Sequence, residues 1–433
     1  MALKTIPTTN INVRHLTRVE GHANILVEVH NGVVQTCRLE VVEAPRYFEA
    51  MLKGQHYSRA PHLASRICGI CSVAHSTASL LAIESALQIT NSEQTILLRK
   101  LNFLGEMLDS HILHIYLLVS PDLLGVGSVI PLAQSAPEVL RRALRMKKAA
   151  GDLCALIGGR HTHPIAMTVG GFTHLPDPAG LEALAAQLHA LRPDIEASLE
   201  LFQGLKLPDF ERETEYLALS QPGEYALTGG TIASTDGGTW PVASYLEVAR
   251  EYQVSHSTAK FAHHRREAYM VGALARFNLN YDQLHPAARS AAAGLGLAPI
   301  STNPYHNTLA QVVEVVHCYE AALLLLEKLL AQGIEAEEPA RPECLSGEGV
   351  GAVEAPRGTL YHHYRIRGEL LTDANCIIPT GQNLGNIEAD LHALVPALLA
   401  SAPDQITQAV EMLVRAYDPC ISCSTHMVEV KFV

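Results

Sequence analysis

The chain has 433 residues, of which 48% are hydrophobic and 18% charged, a composition typical of a globular protein with a large buried core. Its formal net charge is −12, so it lacks the basic field that would neutralise phosphates, and this argues against a nucleic-acid partner. The length is compatible with two to three domains or with one large helical body, and we predict a single domain comprising residues 1–433.

The compartment is indicated by the lack of export and membrane signals in the sequence. Residues 1–15 contain neither an apolar core nor a twin arginine. The longest apolar stretch, residues 112–133, is interrupted by Asp122 and two prolines, and we therefore predict no membrane span. The nine cysteines form an odd set without a dense framework, which indicates a reducing compartment and predicts a cytoplasmic location.

The first predicted element is a small antiparallel sheet near the N-terminus. Apolar and polar residues alternate over residues 10–43, as expected for half-buried strands. Asn31 and Gly32 lie between two alternating runs, and this pair is typical of a tight β-hairpin turn.

Most of the chain after Ala64 is predicted to be helical. Asn91 and Ser92 begin a long helix that reaches about Val119. Further helices are predicted at residues 137–157, 179–206, 258–277, 305–332, 387–399 and 403–416. Two segments rich in Gly, Pro and Thr are predicted to be irregular or short-stranded, and they comprise residues 220–240 and 334–382.

These elements predict a mainly α fold class. We expect a large helical bundle with small β additions, including the N-terminal antiparallel hairpin sheet, and with a metal site at the centre. The single domain is divided into an N-terminal β region, a helical body, a C-terminal part that closes the metal site and a removable tail. These parts comprise residues 10–43, 64–333, 334–426 and 427–433.

Two Cys-x-x-Cys pairs lie at opposite ends of the sequence, Cys68 with Cys71 and Cys420 with Cys423. Four thiolates favour zinc, an iron–sulfur cluster or another thiophilic transition metal. Paired cysteines of a local zinc clip are about 15–20 residues apart, whereas 352 residues separate Cys68 from Cys420. The fold must close around such a site, and this favours a catalytic centre over a structural clip.

The residues around both pairs extend the pattern to nearly the whole chain. In order, the segments are residues 18–22 (RVEGH), 46–49 (RYFE), 66–75 (RICGICSVAH), 354–358 (EAPRG), 378–380 (IPT) and 418–426 (DPCISCSTH). Together they resemble the signatures of the large subunit of nickel–iron hydrogenases, most closely those of the soluble cytosolic NAD(P)-linked group. The pair Ser110-His111 supports this group, because membrane-bound relatives tend to have Asp-His there.

The resemblance implies a nickel–iron centre held by the four cysteines. Cys68 and Cys420 would bind nickel alone, and Cys71 and Cys423 would bridge nickel to an iron that carries carbonyl and cyanide ligands. Glu20 would accept the proton that leaves Cys420, since a buried carboxylate beside a thiol can relay protons.

The resemblance also implies a magnesium or iron ion close to the C-terminus. Its protein ligands would be Glu49, the backbone carbonyl of Cys376 and His426. A hard cation prefers carboxylate oxygen and water, so the histidine leaves iron as an alternative to magnesium.

Residues of the family's two wall segments would surround the iron. Arg357 would donate a hydrogen bond to one cyanide, because a guanidinium stays charged when buried. Thr380 would donate its hydroxyl to the second cyanide, and Pro356 and Pro379 would form apolar walls. His75 would hydrogen-bond a bridging sulfur, a supporting role that is common around metal sites.

The predicted function is that of the catalytic subunit of a soluble nickel–iron hydrogenase, which cleaves dihydrogen heterolytically and reversibly. Electrons would leave through a separate iron–sulfur small subunit, because this chain has no further cysteine cluster and thus no iron–sulfur cluster of its own. They would reach NAD(P) through flavin and iron–sulfur reductase subunits, since the chain lacks a dinucleotide fingerprint. Two alternatives are a dihydrogen sensor and the quinone-site subunit of the respiratory NADH-oxidising complex, whose members have lost the four cysteines.

The last predicted feature is a removable tail, residues 427–433. In the family, a maturation protease cuts after the final basic residue of the C-terminal motif, here His426. The alternative is a permanent terminal strand, because apolar residues of the tail alternate with Glu429 and Lys431.

Overall fold

The computed structural model describes residues 9–425. Half of the chain is helical and 19% is strand. His426 and the tail, residues 427–433, lie outside the described residues. The α-helices are α1 (Phe48–Leu52), α2 (Ala60–Ala64), α3 (Ser72–Leu87), α4 (Glu93–Ile112), α5 (Ser120–Leu123), α6 (Val129–Ser135), α7 (Pro137–Gly158), α8 (Pro178–Ala190), α9 (Arg192–Gln203), α10 (Tyr245–Val248), α11 (Ala273–Asn280), α12 (Pro286–Gly294), α13 (His306–Gln332), α14 (Pro379–Leu398), α15 (Pro403–Ala416) and α16 (Ile421–Ser424).

The strands belong to five small sheets of two to four strands each among the described residues. They are β1 (Thr9–Val13), β2 (Ala23–His30), β3 (Val33–Val41), β4 (Met167–Thr168), β5 (Gly171–Phe172), β6 (Glu215–Ser220), β7 (Thr231–Ser234), β8 (Thr239–Trp240), β9 (Arg250–Tyr252), β10 (Phe261–His263), β11 (Tyr269–Met270), β12 (Gly347–Ala355), β13 (Gly358–Arg367) and β14 (Leu370–Ile377). With a fifth of the chain in strands, the β content is larger than the predicted additions to a helical bundle.

The N-terminal sheet has the predicted antiparallel order β1–β2–β3. Asn31 and Gly32 both have positive φ angles, 52° and 79°, as the tight turn between β2 and β3 requires. The inward side chains Ile25 and Val27 are fully buried. Glu388 of α14 accepts the backbone N–H of Leu39 at 2.9 Å, which joins this sheet to the helical body.

The central helices α4, α7 and α13 are close to their predicted limits. Ser92 is the N-cap of α4, and its side chain accepts the N–H of Thr95 at 3.0 Å. A π-helical segment, Leu113–Val119, continues α4 to the predicted end. Helix α13 has the length and hydropathy of a membrane-crossing helix, but 78% of its most apolar window is buried inside the protein.

Three predicted helices differ from the structure, and one of them, predicted at residues 387–399, is α14, which begins already at Pro379. Residues 258–277 form β10, β11 and the start of α11, because β11 pairs in parallel with β6 and this long-range pairing overrides the local pattern. The helix predicted over residues 179–206 is interrupted at Leu191, since a proline in the first turn of α9 cannot continue the preceding helix.

The segment predicted to be irregular or short-stranded, residues 334–382, contains β13, the longest strand among the described residues. β12, β13 and β14 form an antiparallel sheet, and α3 lies across β12. The prediction failed because the glycines of β12 serve packing. A Cβ at Gly349 or Gly351 would lie 2.3 Å from the carbonyl oxygen of Ala82 or 2.1 Å from that of Ala78, so only glycine permits this approach.

Candidate metal centre

The structure brings the four predicted cysteines into one buried cluster. Their sulfur atoms all lie within 4.8 Å of one another, with 3.5 Å between Cys68 and Cys420, 3.5 Å between Cys71 and Cys423, and 3.0 Å between Cys420 and Cys423. Each residue is at most 5% exposed. Within residues 9–425, these cysteines form the one group of three or more His, Cys, Asp or Glu side chains arranged to hold a metal.

The protonation chemistry of this cluster fits a metal ion. Hydrogen bonds from the Cys420, Cys423 and Cys71 thiols hold the pKa of Cys68 well below its usual value. Burial, together with the neighbouring sulfurs, raises the pKa of Cys423 well above its usual value. Four buried thiols therefore cannot all ionise unless a multivalent cation replaces their protons, and soft sulfur ligands select a thiophilic transition metal.

The five other cysteines are not joined by disulfides. Four of them are buried, as expected for reduced core residues, and Cys344 is half-buried. The buried ones are Cys37, Cys154, Cys318 and Cys376.

The first cysteine pair is fixed by the start of α3, where Cys71 is the N-cap residue. The buried carboxylate of Glu106 accepts the N–H groups of Val73 and Ala74 at 2.5 and 2.8 Å, so two otherwise unbonded helix N–H groups are satisfied. The role of Glu106 was not predicted, because the two N–H groups that donate to it are 32 and 33 residues away in the sequence.

The two cysteine segments are joined by Arg46, which lies in one of the sequence motifs. Its Nη2 donates to the carbonyl of Ile67 at 2.6 Å and to the carbonyl of Ser422. One guanidinium therefore holds the chain next to Cys68 and the chain between Cys420 and Cys423. The two carbonyls that Arg46 contacts could not be predicted from the sequence, because only the folded chain brings them to its side chain.

Glu20 contacts the second cysteine pair through both its backbone and its side chain. Its carbonyl accepts the N–H of Ile421 at 2.9 Å, and its Oε2 accepts the N–H of Ser422 at 3.0 Å. The same Oε2 lies 3.2 Å from the Sγ of Cys420. Gly21 makes this approach possible, because its φ is 86° and a Cβ there would lie 2.7 Å from the Cβ of Ile421.

Arg357 is buried at the turn between β12 and β13 and lines the cavity next to the cysteines. Its Nε donates to the carbonyl of Asp418 at 2.8 Å, and its Nη2 donates to Oδ1 of Asp418 at 3.0 Å. Its Nη1 is buried without a hydrogen-bond partner among the described residues. A buried cationic donor with an open hydrogen suits an anionic ligand in the cavity.

Asp418 holds Arg357 at the cavity and was not singled out from the sequence, although it begins the C-terminal motif. It is 1% exposed and has a φ of 52°, which directs its side chain back toward Arg357. Its Oδ2 accepts Nε2 of Gln311 at 3.0 Å, so both carboxylate oxygens are engaged.

The predicted wall residues lie around the same cavity, with one exception. The lining residues are Cys71, His75, Ala355, Arg357, Leu360, Ile378, Pro379, Thr380, Cys420 and Cys423. The exception is Pro356, which does not line the cavity, whereas its neighbour Ala355 does. The hydroxyl oxygen of Thr380 accepts the N–H of Cys420 at 2.8 Å, a bond that does not use its own hydroxyl hydrogen.

His75 lies in the cavity wall and belongs to a chain of buried polar groups. Its Nδ1 is 3.0 Å from Nε2 of His362, and Nδ1 of His362 is 2.6 Å from the hydroxyl of Tyr364. The hydroxyl of Tyr364 donates to Ser79 at 3.1 Å. These contacts fix the orientation of the His75 ring at the cavity.

Glu49 and Cys376, predicted to share a second metal, are in contact. Oε1 of Glu49 accepts the backbone N–H of Cys376 at 2.6 Å, and burial raises the pKa of Glu49 to about 7. The carbonyl of Thr425 accepts the N–H of Arg46 at 2.9 Å, so the last described residue lies beside the motif that contains Glu49. The third predicted ligand, His426, is outside the described residues.

The sequence matches two family descriptions. Residues 46–141 and 229–426 match the family described as nickel-dependent hydrogenase. Residues 10–44 match the family described as HoxL-like.

Individual relatives match over nearly their full length. The alpha chain of sulfhydrogenase 1 from Pyrococcus furiosus is 34% identical, over 96% of this chain and 98% of the relative. A chain of the F420-non-reducing hydrogenase from Methanothermobacter thermautotrophicus is 30% identical, over 97% and 95%. A crystal structure of an NAD+-reducing NiFe hydrogenase in the H2-reduced state superposes with a TM-score of 0.86 at 26% identity, over 97% of this chain and all of the other.

Proposed function

The chain belongs to the family of nickel-dependent hydrogenase large subunits, and from that premise we propose that it cleaves dihydrogen heterolytically and reversibly at a nickel–iron centre in the four-cysteine pocket. The observation that carries the proposal is the convergence of four buried sulfurs within 4.8 Å. In this proposal Cys68 and Cys420 would hold nickel, and Cys71 and Cys423 would hold both nickel and iron. The bound centre supplies the Lewis-acid and redox chemistry that splits dihydrogen.

Glu20 is the proposed proton acceptor. A proton on the Sγ of Cys420 is within 3.2 Å of Oε2 of Glu20, so transfer requires no movement of either residue. The N–H of Ser422 holds the same oxygen in place. Burial keeps bulk water away from the sulfurs, so the contact with Glu20 gives the proton a route out of the pocket.

Carbonyl and cyanide ligands on the iron are proposed from the chemistry of the cavity wall. Nη1 of Arg357 has no hydrogen-bond partner within residues 9–425, and together with the hydroxyl hydrogen of Thr380 it provides two donors suited to two anionic cyanides. Pro379, Leu360 and Ile378 supply an apolar surface on which a carbonyl ligand finds no competing donor. Apart from its cysteines, the wall is thus polar at Arg357, Thr380 and His75 and apolar elsewhere.

A magnesium or iron ion is proposed beside Glu49. The support is the buried carboxylate next to the backbone of Cys376, together with the chain end at Thr425, which leads into His426. A carboxylate whose pKa is raised by burial gains most from a neighbouring cation, because the cation restores its charged form.

An iron–sulfur small subunit is the proposed electron-transfer partner, docked on a basic surface beside Cys68. A hollow of about 350 Å³ there contains two arginines and two histidines on a protein whose net charge is −12. Its lining residues are His62, Ser65, Arg66, Arg160, His163, Pro164 and Ile165. Arg66 is two residues before Cys68, so electrons would cross a short distance. Arg160→Glu is expected to weaken co-purification of the two subunits, most strongly at low salt. Unchanged assembly would argue for another docking surface.

The proposed final acceptor is NAD(P), reached through flavin and iron–sulfur reductase subunits in the cytoplasm. The support is the structural similarity to an NAD+-reducing enzyme over 97% of this chain. Another relative is described as an F420-non-reducing hydrogenase, a name that excludes F420 as its acceptor and identifies no other. Side-by-side reduction of NAD+, NADP+ and an artificial dye by the purified complex decides between them.

We also propose that a maturation protease removes residues 427–433. Cleavage after His426 would free the new chain end to approach Glu49, since Thr425 already lies beside Arg46. Active, nickel-loaded enzyme is expected to end at His426 by intact-mass measurement. Active enzyme that still ends at Val433 would support a permanent tail instead.

The main test uses the chain co-expressed with its small subunit under anaerobic conditions. We expect bound nickel, exchange of deuterium between D2 and water, and dihydrogen-dependent reduction of an artificial dye. A sensor would bind nickel with only slow turnover, and a quinone-site subunit would bind none. Nickel-free protein that is folded and inactive would refute the proposed function.

A further inference from the structure

Arg357 lies in the tight turn between β12 and β13, and this turn is unusual because it is buried. β12 and β13 pair up to Ala355 and Gly358, which leaves Pro356 and Arg357 as a two-residue turn. This tip is buried next to the cysteine cavity, with Arg357 only 3% exposed. Backbone carbonyls in a turn that are not hydrogen-bonded to the neighbouring strand usually accept hydrogen bonds from water. In a buried turn these carbonyls need donors from the protein instead.

Arg276 of α11 supplies these donors. Its Nη1 donates to the carbonyl of Ala355 at 2.9 Å, and its Nη2 donates to the carbonyl of Pro356 at 3.0 Å. Arg276 is itself fully buried. The two carbonyls on the N-terminal side of Arg357 are therefore fixed by one guanidinium.

The remaining donors of Arg276 are taken by two buried carboxylates. Its Nε and Nη2 donate to Glu314 at 2.6 and 2.7 Å, and its Nη1 donates to Glu354 at 3.1 Å. All five guanidinium hydrogens thus have acceptors, which is the full capacity of an arginine. Although burial opposes ionisation, the charge of Arg276 holds the pKa of Glu314 below its usual value, so this is an ionised pair.

Glu314 is in turn held by residues of two other elements. Its Oε1 accepts the hydroxyl of Tyr225 at 2.6 Å, and its Oε2 lies 2.7 Å from Nε2 of His111. The orientation of Arg276 is therefore determined by α4, α13 and the loop before β7, which makes it a rigid support.

We propose that Arg276 is a positioning residue, which sets where Arg357 stands in the metal pocket by holding the backbone from which its side chain departs. Arg357 is then fixed at both ends, its backbone by Arg276 and its guanidinium by Asp418. The inference rests on the proposed role of Arg357 beside the metals. Lysine cannot replace Arg276, since it has three donors and no planar fork for the carbonyls and Glu314 together.

A second buried arginine provides a matched control. Arg99 is 5% exposed and donates to both oxygens of Glu84 at 2.8 Å and to the carbonyl of Thr168 at 2.8 Å. None of its hydrogen bonds reaches residues 354–358. Arg99→Lys therefore breaks the same type of buried ion pair without disturbing the turn.

The test is a double-mutant cycle on the assembled complex, with Arg276→Lys, Arg357→Lys, both together, and Arg99→Lys. We expect Arg276→Lys to retain nickel, to slow D2–water exchange by about tenfold or more, and to add nothing in the Arg357→Lys background. The cyanide bands in the infrared spectrum should shift in Arg276→Lys as in Arg357→Lys and stay unchanged in Arg99→Lys. Effects that multiply in the double variant, or an equal loss in Arg99→Lys, would overturn the proposal.

A milder variant and a metal-free measurement complete the test. Glu354→Gln weakens one contact of Arg276 and should give a smaller loss of the same kind, also absent in the Arg357→Lys background. Crystal structures of the metal-free protein should show Arg357 displaced from Asp418 in Arg276→Lys but not in Arg99→Lys. Wild-type complex without nickel would refute the proposed function, whereas an undisplaced Arg357 would refute the positioning role alone.

Discussion

Oε2 of Glu20 lies 3.2 Å from the Sγ of Cys420, although 400 residues separate them in the sequence. The two chain segments run beside each other at this point, and the N–H of Ile421 donates to the carbonyl of Glu20 at 2.9 Å. In the proposed function, a carboxylate held in this way would accept the proton from the sulfur without rearrangement. The relationship connects the N-terminal motif directly to the metal pocket.

Glu20→Gln should abolish proton transfer while leaving the pocket intact. The amide keeps the shape of the side chain but cannot accept and release a proton, so we expect D2–water exchange to fall by about 10²–10⁴-fold with nickel content unchanged. Glu43→Gln is the control, because Glu43 accepts the N–H of His22 on the same loop at 2.9 Å. Normal exchange in Glu20→Gln would move the proton route to another group.

The close packing of α3 on β12 predicts a sharp penalty for added volume. A Cβ at Gly351 would lie 2.1 Å from the carbonyl oxygen of Ala78, so Gly351→Ala must separate the helix from the strand. We expect a loss of about 2 kcal/mol or more in the free energy of unfolding, and reduced nickel uptake, because α3 begins next to Cys71. Gly204→Ala is the control, since its nearest contact would be an ordinary 3.5 Å. Equal stability of the two variants would show that α3 and β12 are farther apart.

Local signals allowed part of this arrangement to be predicted. Asn31-Gly32 and Ser92 act through neighbouring backbone, so their turn and cap could be read directly from the sequence. The cysteine cluster could be predicted because both Cys-x-x-Cys pairs lie in motifs that resemble one family, and their separation of 352 residues favours a site that the whole fold closes. Arg276 could not, since its five acceptors lie in segments that meet only through the fold. The glycines of β12 were misread for the same reason, because their function is to admit a helix from elsewhere in the chain.

The stability of the protein should depend on pH through His317. Burial lowers its pKa to about 4, and its Nδ1 accepts the N–H of His285 at 3.1 Å. The folded protein keeps this ring neutral, whereas the unfolded chain protonates it below about pH 6.5. Its stabilising contribution is therefore present above pH 6.5 and is lost as the pH falls toward 4.

His317→Asn should remove this dependence while keeping an acceptor for His285. The difference in free energy of unfolding between wild type and variant is expected to shrink by about 2 kcal/mol from pH 7.5 to pH 5. Urea titrations of both proteins at the two pH values measure it. A constant difference would mean that His317 is not held neutral in the folded protein.

The central claim is that the four converging sulfurs hold the nickel that activates dihydrogen. Its most direct test is to measure bound nickel and D2–water exchange on the same samples of wild type, Cys420→Ser and Cys344→Ser. Cys344 is a half-buried cysteine outside the pocket. We predict stoichiometric nickel and rapid exchange in the wild type and in Cys344→Ser, with both lost or sharply reduced in Cys420→Ser. Full nickel and normal exchange in Cys420→Ser would contradict the account.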